Sequence, residues 1–375
     1  MGGREVPIIW NGRPVRAWVP DPLSGAELKL SEATARRTEQ AAALLRRGSD
    51  ELPPAWEVLA RLLLRAEGVA SSFIEGVRAP LAEVAAAELD PSVGEAASWV
   101  AGNLTAVTEA IEAAGKGPLT VDALHAWHRA LMTGNRYLPD HLIGAPRDAQ
   151  GWIGGTSPLD AALVTPPPPE LGALLADLVI FANRTDIDPV TQAAAAHAQF
   201  EIVHPYADGN GRIGRVLVSW ILARRLNLVS PPPLSVRIAL DRGGYLAGLT
   251  LFRLGEVDPW VAWFAEVVAG AGEASITLVR SVTDLQALWL ERLAGARTDA
   301  AARRVVALLP EHPVLTAAVI AAALGVSERT GRSALDALAD VGIVEPFEPA
   351  HRGPGRPRRW WVASELIALV EGWSR

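Results

Sequence analysis

Residues 204 to 215 read His-Pro-Tyr-Ala-Asp-Gly-Asn-Gly-Arg-Ile-Gly-Arg, and this run dictates how the middle of the chain is built. Pro205 removes a backbone donor and restricts the residue before it, so the helical pattern from Pro189 to about Val203 must stop there. Gly209 and Gly211 flank Asn210 and allow a tight turn that only glycine enters without strain. A second helix starts near Asn210, with an apolar stripe of Ile213, Val216, Leu217, Trp220 and Ile221. Two helices joined by a short, stiff loop follow directly.

The same loop concentrates chemistry. His204 is the side chain best suited to accept a proton near neutral pH, its ordinary pKa being about 6.5. Asp208 is a hard oxygen ligand, fit for a Mg²⁺ that bridges phosphates. Gly209, Asn210 and Gly211 can turn successive N–H groups inward at a helix N-terminus, which makes an anion nest. Arg212 and Arg215 are three residues apart and so share a helix face. Together these residues point to a polyphosphate site. A Walker loop is excluded, because no Gly-Lys-Ser/Thr follows the glycines. Zinc is disfavoured: His125 and His128 are helically spaced, as are His197 and His204, but no convergent third ligand is evident, so His125, His128 and His197 are expected in core or surface roles.

The rest of the chain reads as mainly helical, with Ala and Leu dominant and 50% of residues hydrophobic. Residues 1–23 look like an irregular arm. Helical patterns cover Leu28 to Arg47 (closed by Gly48-Ser49-Asp50), Trp56 to Val69, Pro80 to Leu89, Val93 to Ala114 and Thr120 to Met132. Gly151 to Gly155 and Ala161 to Thr165 read as a small β-hairpin between helices. Helices follow over 170–182 and 243–294. Composition shifts near residue 297, and the last 78 residues suggest a separate small module. The resulting division is an N-terminal helical region (1–115), a core (116–275), a linker helix (276–297) and a C-terminal module (298–375).

The bulk properties set limits. Net charge is −7, so any nucleic-acid binding must come from a local patch. There is no cysteine, which excludes disulfides and thiolate metal sites. No uninterrupted apolar run of about 20 residues is present and no secretory pattern opens the chain, so a cytoplasmic protein without a membrane partner is expected.

The 204–215 run resembles the signature of the Fic (filamentation induced by cAMP) family, His-Pro-Phe-x-Asp/Glu-Gly-Asn-Gly-Arg-x-x-Arg, with Tyr206 where the family usually has Phe. The extra hydroxyl needs a hydrogen-bond partner. The wider likeness includes Arg147 to Gly155, Pro166 to Pro169 and Phe200-Glu201. It implies a Fic-type helical core and a protein adenylyltransferase, which moves AMP from ATP to a Ser, Thr or Tyr hydroxyl of a protein. Carried onto this chain, His204 is the base and Asp208 holds Mg²⁺. Gly209, Asn210 and Gly211 cradle phosphates, while Arg212 and Arg215 neutralise the β- and γ-phosphates. Family members that transfer phosphate instead carry lysine at the position of Gly211. Tyr245 is the one candidate near an adenine pocket.

Ser71, Glu75 and Gly76 resemble the family's inhibitory motif, Ser/Thr-x-x-x-Glu-Gly/Asn, in the class whose inhibitory helix precedes the core. Glu75 is then expected to pair with Arg215. Gly151, Trp152, Ile153 and Gly154 resemble the flap that clamps a target segment by backbone pairing. Thr316 to Val341 reads as helix-turn-helix, with Gly325 at the turn and Ser327 as the next N-cap. With strands at 342–345 and 360–362 around an arginine-rich loop, it resembles a winged helix-turn-helix domain. Arg329, Arg332 and the wing arginines leave DNA or a docking protein as its partner. Two alternatives to an autoinhibited transferase remain: an ATP-sensing DNA-binding regulator, and an enzyme of this family that mainly removes AMP. Self-modification and a homodimer are also open.

Overall fold

The computed structural model describes residues 2–50, 56–230, 232–294, 300–351 and 358–372. It begins with an antiparallel hairpin, β1 (Gly3–Trp10) and β2 (Arg13–Pro20), paired from Trp10↔Arg13 to Gly3↔Pro20. This corrects the expectation of an irregular arm. Asn11 and Gly12 both have positive φ (48° and 78°), which is the two-residue turn whose twist matches paired strands. Val19 is buried against Leu171, Leu174 and Val203, so the hairpin lies on the core.

Five helices follow: α1 (Glu32–Asp50), α2 (Trp56–Ile74), α3 (Leu81–Leu89), α4 (Glu95–Ala114) and α5 (Val121–Leu131). Helix α1 starts four residues later than expected and runs through 48–50. Ser31 stops the preceding chain by donating through its N–H and hydroxyl to Asp258, while its Oγ accepts from the Thr34 N–H. Helix α2 extends past Val69, which places Ser71 within it and Glu75 directly after its last turn. Thr120 caps α5 by accepting from the Ala123 N–H, as the sequence suggests.

Strands β3 (Trp152–Ile153) and β4 (Leu163–Val164) form the expected small hairpin. Helices α6 (Leu171–Ala182), α7 (Pro189–Val203) and α8 (Asn210–Leu226) come next. Helix α7 is capped by Asp188 with Pro189 at its first position, and every residue from Val190 to Val203 is buried. Its alanines let neighbouring helices approach closely on all sides, so α7 and α8 form the buried axis of the molecule. A helix absent from the sequence reading, α9 (Leu234–Leu240), starts directly after the proline run, where missing N–H groups cost nothing. Helices α10 (Arg242–Arg253) and α11 (Val257–Ala294) complete the region. Helix α11 is, by length and composition, apolar enough to cross a membrane. Its buried residues, among them Trp260, Phe264 and Trp289, lie in the protein's own cores.

The C-terminal segment contains α12 (Ala300–Leu308), β5 (Val314–Leu315), α13 (Ala317–Leu324), α14 (Glu328–Asp340), β6 (Glu345–Phe347), β7 (Trp360–Val362) and α15 (Ser364–Gly372). Gly325 takes φ 66° at the turn between α13 and α14, and Ser327 caps α14. The first strand lies three residues beyond the expected 342–345. Gly342 (φ 69°) and Ile343 instead close α14 by donating to Ala339 and Leu338 carbonyls, and Ile343 and Val344 enter the core. The sheet order is β5-β7-β6. Arg352 and Arg356, expected in the wing, lie outside the described residues.

This segment does not close a core of its own. Val305, Leu309, Leu335, Leu338, Trp360 and Leu366 share one buried cluster with Leu59, Leu62, Leu63, Ala66 and Ala70 of α2. Buried Arg65 fixes the seam, donating to Glu88 (2.6 Å) and to the Pro310 carbonyl (3.3 Å). Helix α2 is therefore a partition between two cores.

Candidate active site

Where α7 ends, His204 occupies the left-handed region (φ 49°). That conformation costs a non-glycine residue about 1–3 kcal/mol, and it persists only when its surroundings enforce it. Arg147 does so. Its Nε donates to the His204 carbonyl (2.9 Å) and its backbone N–H to the Pro205 carbonyl (2.8 Å). The remaining guanidinium nitrogens donate to Ala149 O, Thr165 Oγ1 and Pro166 O at the base of the β3–β4 hairpin. One buried arginine thus joins that hairpin to the loop.

The imidazole Nδ1 lies 3.3 Å from the Glu201 carbonyl, an acceptor only, so Nδ1 carries the proton and Nε2 is the basic nitrogen. Burial, reinforced by the Arg147 charge against the acceptor effect of Glu201, pushes the His204 pKa down to about 4. The ring is neutral at physiological pH.

Two further histidines support the loop from α5. His128 accepts from the Gly144 N–H at Nδ1 (2.8 Å), which leaves its Nε2–H to donate to the Asp208 carbonyl (3.1 Å). His125 Nδ1 meets the Tyr206 hydroxyl at 3.0 Å, the partner that the extra oxygen required. Tyr206 also stacks on His128, ring centroids 4.0 Å apart. The sequence reading gave these histidines only core or surface roles. Their i, i+3 spacing on one face of α5 was the available signal.

Asn210 spends its side chain on the loop itself, accepting from the Tyr206 N–H and donating to the Tyr206 carbonyl, both at 2.8 Å. Only its backbone remains for a phosphate. A Cβ at Gly209 would collide with Met132 and Leu131, and Gly209 has φ 75°. Asp208 is more than half exposed; its Oδ1 accepts from the Gly209 N–H and lies 3.5 Å from Arg212 Nη2. Arg212 and Arg215 are both buried, and each retains a buried nitrogen (Nε and Nη1) without a hydrogen-bond partner.

Glu75 pairs with Arg215 at 2.8 Å. Arg215 also donates to Ser71 twice, from Nε to Oγ and from Nη2 to the carbonyl, each at 2.9 Å. Burial works to raise the Glu75 pKa, but the Arg215 charge and hydrogen bond, helped by Arg212 and His204, hold it below the usual carboxylate range. The carboxylate lies so close over Gly211 that a Cβ there would overlap Oε1. It therefore sits at the mouth of the helix N-terminus, where an anion would bind. Gly76 follows with φ 85° and turns the chain away. Arg242 donates to the Ile74 carbonyl (3.0 Å) and steadies the end of α2.

Tyr245 is not placed to read a base. It is 5% exposed, its hydroxyl is 2.9 Å from His197 Nε2, and its ring packs against Trp260 and Trp263. A buried tyrosine beneath Arg215 helps position the network without facing a ligand.

The Fic/DOC family profile matches residues 118–222, which span α5 to α8 and the whole loop. The chain carries a Fic/DOC-family domain. Among curated relatives, the protein adenylyltransferases fic-1 of Caenorhabditis elegans and Caenorhabditis briggsae are each 33% identical over 161 residues. That alignment takes in 42% of this chain and only 28% of each nematode protein. A probable protein adenylyltransferase of Aquifex aeolicus is 40% identical over 63 residues, 16% of this chain and 20% of the relative. In fold, a Fic family protein from Desulfovibrio desulfuricans G20 aligns with 90% of this chain and 97% of its own, at TM-score 0.56 and 23% identity. A fragment of C. elegans Fic-1 aligns with 66% of this chain and 74% of its own, at TM-score 0.54 and 21% identity. The likeness of fold thus runs well beyond the residues matched by the family profile.

The buried titratable groups of α2, α5 and α7 and of the loop after it predict a pH optimum for stability. Burial holds His128, His197 and His204 at about 4, 3 and 4. Burial also raises Glu67 to about 7 and Glu201 to about 8. A histidine kept neutral contributes stability above its unfolded pKa of about 6.5 and loses it as pH falls toward 4. An acid kept protonated contributes below its unfolded pKa of about 4.5 and loses it as pH rises through its folded value. Between these unfolded pKa values three histidines outweigh two acids, so stability rises with pH; above about 6.5 only the acids act, and it falls. The melting temperature should peak near pH 6.5. A steady rise to pH 8 would mean that Glu67 and Glu201 are not held protonated.

Proposed function

We propose that this Fic-domain protein is an autoinhibited protein adenylyltransferase, with Glu75 as the brake on Arg215. The observation that carries the reading is the geometry of one carboxylate. Glu75 bonds the arginine that faces the helix N-terminus and covers Gly211, so it competes for the place of a terminal phosphate. His204 is at the loop's other end with Nε2 free to accept a proton.

In the proposed reaction the target hydroxyl, from a Ser, Thr or Tyr side chain, gives its proton to His204 Nε2. Its oxygen attacks the α-phosphorus of ATP, the bond to the α,β-bridging oxygen breaks, and pyrophosphate leaves. Arg212 and Arg215 offer unpartnered buried donors to the departing charge. The loop is already fixed by Arg147, His128 and Asn210, so catalysis here rests on positioning.

Asp208 fits Mg²⁺ delivered with the triphosphate. Its exposed Oδ2 is a single hard donor, and no cluster of three His, Cys, Asp or Glu occurs among the described residues. When bound there with the nucleotide, Mg²⁺ would supply neutralisation of phosphate charge, with Asp208 as its protein ligand.

The β3–β4 hairpin, with Gly151, Trp152, Ile153 and Gly154, is the proposed target flap, since β3 pairs with no strand but β4 among the described residues. Asp160 presets its turn by accepting from the Thr156 and Ser157 N–H groups and hydroxyls. The α13–α14 pair and sheet β5-β7-β6 are proposed as a winged-helix module. Asp336 and Asp340 share the exposed side of α14 with Arg332, and Arg358 already pairs with Asp90 (3.2 Å). These features favour a docking role over DNA binding.

Parallel incubations with α-labelled and γ-labelled ATP test the reaction class. Label is expected on protein from the α position only. Transfer from the γ position would make the protein a kinase and overturn the proposal.

A further inference from the structure

A cavity of about 520 Å³ lies behind the end of α2, lined by Ala66, Val69, Ala70 and Phe73 of that helix, Ala239 of α9 and Val370 of α15, among others. Its volume and mostly apolar lining are those of a small-molecule site, and of its two charged lining residues, Arg78 and Glu371, the carboxylate is engaged in a contact of its own. Arg78 lies at its edge, with its guanidinium 5.2 Å over the Phe73 ring and no carboxylate partner among the described residues. No residue of the nucleotide loop lines the cavity, and nothing in the adenylyl-transfer reading uses it.

Helix geometry relates it to Glu75. At 100° per residue, Ala66, Ala70 and Phe73 fall on one side of α2, and Ser71 and the direction of Glu75 fall on the opposite side. The face that holds Arg215 and the face that borders the cavity are thus back to back. Farther up, the helix is fixed by Arg65 to Glu88 and Pro310, and by the Ser235 N–H and hydroxyl to Glu67. Its last turn has free volume behind it. Withdrawal of that turn from α8 would take Glu75 off Arg215, and the cavity is the space into which the turn can move.

We propose that this cavity is a regulatory site for a small apolar carboxylate, whose chain fills the space behind α2 and whose anionic head meets Arg78. A molecule seated there blocks withdrawal of the last turn and so holds Glu75 on Arg215. The regulatory half rests on Glu75 being the brake; the binding half does not. A ligand that binds this arrangement more tightly than the withdrawn one must shift the population toward it.

The test uses the full chain with decanoate, below its micelle concentration, as the probe. Thermal shift measures binding, and incorporation from α-labelled ATP measures the brake. Decanoate is expected to raise the melting temperature and to lower wild-type labelling several-fold, while leaving Glu75→Gly labelling unchanged. Ala239→Phe, which fills the cavity, should abolish the thermal shift and itself reduce labelling. Arg78→Gln, an exposed change that leaves the packing intact, should weaken decanoate binding about tenfold or more by loss of the charged contact. No thermal shift, or an equal shift in wild type, Ala239→Phe and Arg78→Gln, overturns the site. A thermal shift lost in both variants, but with unchanged wild-type labelling, upholds binding and overturns its link to the brake. If Glu75→Gly labels no more than wild type, the brake reading fails, while the thermal-shift comparison still decides the cavity.

Discussion

Replacing Glu75 with glycine is expected to raise the transfer of AMP from α-labelled ATP to protein by about tenfold or more. The pair it removes is charge-assisted, and such bonds contribute about 1.5–3 kcal/mol. Glu75 is 36% exposed at its side chain, so the lower end of that range applies. Each 1.4 kcal/mol is about tenfold in an equilibrium, which sets the size of the effect. Arg215 should keep its orientation in the variant, because Ser71 still receives two of its hydrogen bonds. The freed donor then faces the volume above Gly211, available to a γ-phosphate. Gel quantification of labelled protein checks this, with the protein itself as the first acceptor. Equal labelling of wild type and variant would remove the brake from the account.

The comparison separates what local sequence encodes from what only the fold creates. The loop was legible because proline, two glycines and two arginines at fixed spacing each carry a local constraint. The Glu75–Arg215 contact joins residues 140 apart, and came within reach only through the likeness of the Ser71–Gly76 segment to an inhibitory motif. Arg147 shows the opposite case. Nothing in its neighbours announces an anchor, since all but one of its carbonyl acceptors, those of Pro166, His204 and Pro205, come from two distant stretches of chain that folding brings to it. Tyr245 was misread for a related reason: proximity in the chain says nothing about which way a ring faces. The N-terminal hairpin was legible and was missed, because Pro and Trp distracted from Asn11-Gly12, a local signal as strong as any in the chain. The C-terminal segment follows a different logic. Its elements can be read from caps and turns, but its shared core with α2 depends on long-range packing that no local pattern reports.

In the Glu75→Gly background, removing the imidazole of His204 should lower labelling by about 10²–10⁴-fold, the usual worth of a positioned general base. The choice of substitution matters here. His204 has φ 49°, so alanine would add backbone strain and confuse a chemical loss with a structural one. Asparagine tolerates the left-handed region and keeps the loop, so His204→Asn isolates the loss of the base. An unchanged thermal shift on adding ATP would show that the nucleotide still binds. The pH dependence gives an independent check on the same group. With its pKa pushed down to about 4 by burial, His204 is already neutral over the whole physiological range. Labelling by Glu75→Gly should therefore stay flat from about pH 8 to pH 5.5 and fall only as the ring takes up a proton near its shifted pKa. A limb centred near 6.5 would mean that the ring is solvated in the working enzyme. Residual labelling by His204→Asn at the level of Glu75→Gly would mean that another group takes the proton, and the loop would then be a binding site without its base.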